Sequence, residues 1–177
     1  MLRIPICLML LGLGAIPAAA ADNGLALLGL FEKTCAQRPA LPTALQRLAK
    51  AAGFESEHGD ITPDMESGDK LDLIYWATLV RGAATFKLNA YFSGRRDAPS
   101  VSCTAATIGV NGQDLVAAIE AAEKVTSPST ELSKDGAFSR LKWTFGAAGG
   151  NDSLDLSFRR DEPRRTSLNL TYQIRKP

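Results

Sequence analysis

The chain has 177 residues, 45% hydrophobic and 22% charged, which is enough to bury a core and too apolar for a disordered chain. Its 20 Lys+Arg nearly balance 19 Asp+Glu, so no surplus of positive charge supports generic binding to nucleic acid or anionic membranes. A length of this size implies one folded domain.

Residues 1–21 have the order of a secretory signal. Met1-Leu2-Arg3 carries one positive charge, an uncharged run follows from Ile4 to Ile16, and Pro17 breaks any helix. Ala18-Ala19-Ala20-Ala21 then offers the small residues a signal peptidase needs, with cleavage expected after Ala21 or Ala20. The apolar run is shorter than the roughly 20 residues that span a bilayer. Asp22 stands where a lipid-anchored form needs cysteine. The expectation is a soluble periplasmic or secreted protein, with residues 22–177 forming a single α+β domain. Removal of Cys7 with the signal leaves Cys35 and Cys103, an even pair in an oxidising compartment, and so a predicted disulfide.

After the signal, Asp22 or Asn23 caps a helix running to about Arg38, with Leu27, Phe31 and Cys35 four apart on one face. Pro42 opens a second helix with Leu41, Leu45, Leu48, Ala49 and Ala52 as its stripe. Gly53 suits the residue after its end, and Phe54 the hydrophobic contact that closes it. Residues 55–70 are polar and acidic and read as a loop.

A strand follows from Leu71 to Val80, apolar on both sides over its second half, which predicts a central position. Phe86, Leu88, Ala90 and Phe92 mark a second strand, and Val101, Cys103 and Ala105 a third. Asn111, with Asp114 three residues on, caps a third helix bearing Leu115, Val116, Ile119 and Ala122. Leu141, Trp143 and Phe145 form a fourth strand, Leu154, Leu156 and Phe158 a fifth, and Leu168, Leu170, Tyr172 and Ile174 a sixth. The order αα-βββ-α-βββ with short turns predicts an α+β fold: a mainly antiparallel sheet of about six strands, helices on one face, the other face wet.

No arrangement of residues reaches a catalytic, cofactor or metal signature. His58 is the single histidine, and it sits in the acidic loop with no nucleophile spaced to use it. One His and two cysteines expected to be bonded cannot close a zinc site. Asp60-x-Thr62-x-Asp64-x-Glu66 departs from a calcium loop at Pro63, and at Met65 where the turn needs glycine. No phosphate-cradling or nucleophile-elbow motif occurs. The carboxylates read as surface groups.

Charge is distributed unevenly. Residues 134–177 hold nine Lys+Arg against five Asp+Glu, whereas 22–133 hold ten against fourteen. Arg140, Lys142, Arg159 and Arg175 all occupy polar strand positions and are the candidate surface for an acidic ligand or protein partner. The competing reading is that they keep the sheet soluble and its edges unpaired.

Phe31-x3-Cys35-x3-Pro39, a short helix, and then Gly53-Phe54 resemble the opening of small uncharacterised exported proteins of Gram-negative bacteria. The resemblance covers the first third of residues 22–177 and implies a periplasmic location and no activity. Two functional expectations remain. One is a non-catalytic exported binding or interaction module, an inhibitor among the options. The alternative is a small hydrolase-like enzyme using carboxylates that sequence alone does not locate. Neither needs a cofactor, and no feature sets an oligomeric state.

Overall fold

The computed structural model describes residues 18–56, 69–123, 128–132, 136–145, 152–161 and 165–174. The signal segment up to Pro17, His58 with most of the acidic loop, the glycine-rich turn at 146–150 and Arg175 lie outside the described residues.

Among the described residues, eight strands form one antiparallel sheet: β1 (Glu55–Ser56), β2 (Lys70–Arg81), β3 (Ala84–Arg95), β4 (Ala98–Ile108), β5 (Ser129–Leu132), β6 (Phe138–Phe145), β7 (Asp152–Arg159) and β8 (Arg165–Gln173). Their spatial order is β1-β2-β3-β4-β8-β7-β6-β5, so two four-strand runs meet at the β4–β8 pair. The antiparallel α+β architecture agrees with the expected one. Six of the strands are the expected six. The additions are β1 and β5, two and four residues long, too short for alternation to reveal.

The expected central position of the Leu71–Val80 strand is incorrect. In the structure β2 is next to the sheet edge, flanked on its outer side only by the two-residue β1. The true centre is β4 and β8.

Among the described residues, three α-helices complete the fold: α1 (Ala18–Lys33), α2 (Pro42–Ala51) and α3 (Val116–Glu123). α1 ends five residues before Arg38, where the sequence placed its end. Thr34 Oγ1 donates back to Leu30 O at 2.7 Å, the chain tightens into a 3-10 turn over Cys35–Gln37, and Arg38 adopts a left-handed φ of 50°. α2 ends as expected. Gly53, at φ 92°, donates to Lys50 O, and Phe54 donates to Ala49 O, the paired bonds of a Schellman motif.

One face of every long strand supplies the core. Across the sheet, Tyr75, Ala90, Cys103, Leu170, Leu154 and Trp143 stand in one row, and all are buried. The small residues of this row and the next, Ala77, Ala90, Cys103 and Ala105, leave room for α1 to lie against β4 while α2 covers β2 and β3. Leu27, Phe31 and Cys35 enter the core on the face their spacing predicts. Approach is tightest at Gly112, where an added Cβ would come within 2.5 Å of the Phe158 ring.

Candidate functional site

The helices pack on one side of the sheet, and the alternate positions of the strands form the outer face. Its central row reads Trp76, Asn89, Thr104, Asn169, Asp155, Lys142 across six strands. The row beside it reads Glu55, Thr78, Lys87, Ala106, Ser167, Ser157, Arg140. The face divides into two chemically different halves.

The half built on β5 to β8 contains the cations that sequence singled out. Arg140, Lys142 and Arg159 share the outer face as their parity predicts. They do not form the open basic patch that their count suggests. Arg140 Nε donates to Asp155 Oδ1 at 3.0 Å, and its Nη1 lies 3.7 Å from Glu131. Arg159 clasps Asp161 with bonds of 2.9 and 2.7 Å. That guanidinium holds the Asp161 carboxyl below its ordinary range, and the bond to Asp155 raises Arg140. Asp155 also corrects the reading of all carboxylates as surface groups, for its side chain is only 4% exposed. Lys142 and Asn169 flank it in the strand register, and Arg140 bonds to it.

The half built on β2 to β4 is where the structure departs furthest from expectation. Ile74 (49% exposed), Trp76 (43%), Val80 (66%) and Tyr91 (43%) present large apolar side chains to solvent, with Ile108 at the far end of β4. Apolar residues that seemed to mark a strand buried on both sides instead form a surface. Tyr91 is fixed by donating its hydroxyl to Asp72 Oδ1 at 2.7 Å, which raises its pKa.

Among the hollows that the described residues form on this half, two share Lys87. One, of about 340 Å³, is lined by Trp76, Thr78, Lys87 and Asn89 among others. The second, of about 180 Å³, has Ala106 between Thr85, Lys87, Ile108 and Arg165, and its lining is mainly apolar. Ala106 creates this dip because every neighbouring outer residue is larger. Lys87 and Arg165 have no carboxylate partner among the described residues.

Cys35 and Cys103 are joined by a disulfide with a Cα–Cα distance of 5.4 Å, and both are fully buried. It is a fastener between the end of α1 and the sheet centre, on the side opposite the outer face. No group of three or more His, Cys, Asp or Glu side chains suited to a metal ion occurs among the described residues. No protein-family model, curated protein or solved structure matches the chain.

Proposed function

We propose that this is an exported, non-catalytic binding module that works through the outer face of its sheet. One observation carries the reading: a sheet with its helices packed on one side presents Ile74, Trp76, Val80 and Tyr91 together on the other. Clustered apolar surface of this kind marks a place of contact, and Trp and Tyr are the side chains most enriched at such contacts. Export is supported by the signal-like order of residues 1–21 and by a buried disulfide, a bond at home in oxidising compartments.

The enzymatic alternative has less behind it. A catalytic carboxylate has to reach its substrate. Asp155, the buried carboxylate of the outer face, is sealed under Arg140 and lines neither hollow.

The test compares the protein with a Trp76→Ser/Tyr91→Ser variant on arrays of cell-envelope glycans and peptides. Ligands retained by the parent should be lost from the variant, while circular dichroism and Tm stay unchanged. Ligands held equally by both would place binding elsewhere.

A further inference from the structure

We infer that the groove joining the two hollows takes an acidic oligosaccharide, one sugar ring lying on Trp76 and an anionic group held between Lys87 and Arg165. The inference rests on the outer face being the binding face, and it names the chemistry of what binds there.

The groove crosses strands β2, β3, β4 and β8, whose ladders are continuous through this region. The backbone amides and carbonyls of β3, β4 and β8 are therefore engaged in the sheet, and an extended peptide finds no edge to join on these strands; the outer side of β2 pairs with β1 at Ala77 and Thr78. What remains for a ligand is side-chain chemistry. Asn89 and Thr85 offer an amide and a hydroxyl, groups that pair with sugar hydroxyls as both donors and acceptors. Trp76 supplies a flat ring whose negative face attracts the weakly positive C–H groups of a pyranose.

Charge completes the case. Asp72 is occupied by Tyr91, and Asp155 and Glu131 by Arg140. Lys87 and Arg165, which have no carboxylate partner among the described residues, face the groove, one on each side of Ala106. The remaining acid of this row, Glu55, stands beyond Thr78 at the opposite end from Arg165. The anionic group thus belongs at the Arg165 end and the neutral ring at the Trp76 end. A purely apolar partner would desolvate these cations. From Trp76 to Arg165 the path covers three strand spacings and four residues of rise, a diagonal of about 20 Å. That is the span of a short oligosaccharide, not of one sugar.

Intrinsic fluorescence gives the test, since Trp143 is buried and the change on binding belongs to Trp76. Oligogalacturonate and oligomannuronate are titrated into the purified protein, beside uncharged cello-oligosaccharide and an oligoglutamate peptide. The expected result is a Trp76 emission change with at least one uronate, much weaker with the neutral sugar, and reduced by salt. Lys87→Gln and Arg165→Gln should each weaken uronate binding about tenfold, the loss of one charge-assisted bond. Trp76→Ser should abolish it, and Arg47→Gln on α2 should change nothing. Calorimetry follows binding to the variants that lack the Trp76 signal, and an unchanged Tm shows that they fold. If oligoglutamate binds through Trp76 and Lys87 while neither uronate does, the ligand class is overturned and the binding face stands. Uronate binding that ignores Trp76 and Lys87 overturns both. No binding by either uronate overturns the glycan assignment.

Discussion

Arg38 Nη1 lies 2.8 Å from Asp152 Oδ2, although 114 residues separate them in sequence. The same guanidinium sits 5.8 Å from the centre of the Tyr172 ring, whose hydroxyl donates to Pro39 O at 2.7 Å. The turn after α1 is thereby fastened to β7 and β8, beside the disulfide that ties it to β4. The left-handed conformation of Arg38 costs about 1–2 kcal/mol in a non-glycine residue, so these contacts must hold it. Tyr172→Phe leaves the buried Pro39 carbonyl without its donor and should cost about 1–3 kcal/mol in urea unfolding. Asp152→Asn should cost less than about 1 kcal/mol, because Arg38 is 43% exposed and water screens the pair. If Asp152→Asn proves the more damaging, the ion pair and not the tyrosine is the fastener.

The Cys35–Cys103 bond closes a loop of 68 residues. In the chain-entropy model such a loop contributes roughly 4 kcal/mol by restricting the unfolded chain. A Cys35→Ala/Cys103→Ala variant should lose a stability of that order, and hydrogen exchange should quicken first in α1. Protein produced without residues 1–21, and so without Cys7, should show no free thiol when denatured without reductant. Two free thiols would remove the bond.

The three tyrosines all have pKa values raised by the fold. Burial without a hydrogen-bond partner pushes the Tyr75 phenol up to about 12. Burial also raises Tyr172, with Arg38 opposing, and Tyr91 is raised by its bond to Asp72. A phenol ionises near pH 10 once unfolded. Its folded value is higher, so the contribution of Tyr75 to stability is complete below pH 10 and is lost as pH rises towards 12. Phenolate absorbance should therefore step near pH 10 in urea and later in native protein, together with alkaline unfolding. Tyr75→Phe removes a buried hydroxyl that makes no bond and should be neutral or mildly stabilising at pH 7. A loss above about 1 kcal/mol would show that the hydroxyl is satisfied.

Period-two alternation made β3, β4 and β6 to β8 legible, because each has one apolar and one polar face. It misplaced β2 for a physical reason: Ile74, Trp76 and Val80 on the second face look the same whether another element covers them or water does. The distinguishing signal lies in the neighbouring strand. Thr85, Lys87 and Asn89 are polar on that face, and they pair directly with Val80, Thr78 and Trp76. A strand buried on both sides does not sit beside one that is wet, so the pattern of β3 already argued for an exposed apolar surface on β2. The partners of Arg140 and Arg159 were less accessible. Asp161 is near Arg159 in sequence, but Asp155 meets Arg140 only through the β6–β7 register.

That register separates two cations which sequence treats alike. Arg159 pairs with Asp161 two residues away, where both side chains are about half exposed. Replacing it with Ser breaks a contact that water readily substitutes, and Tm should not move measurably. Arg140 instead covers Asp155, whose carboxylate is nearly sealed from solvent. Arg140→Ser removes the cation and leaves that charge inside the sheet surface, with Lys142 the nearest cation in its row. Fully buried pairs broken in this way lose about 3–5 kcal/mol. Arg140 is itself 37% exposed, so water partly fills its place and about 1–3 kcal/mol is expected. Arg140→Ser/Asp155→Ser should recover much of that loss, because neither charge then remains. Thermal unfolding of the three variants decides the matter. Equal Tm values for Arg140→Ser and Arg159→Ser would mean that Asp155 is solvated and that Arg140 is free to serve a ligand.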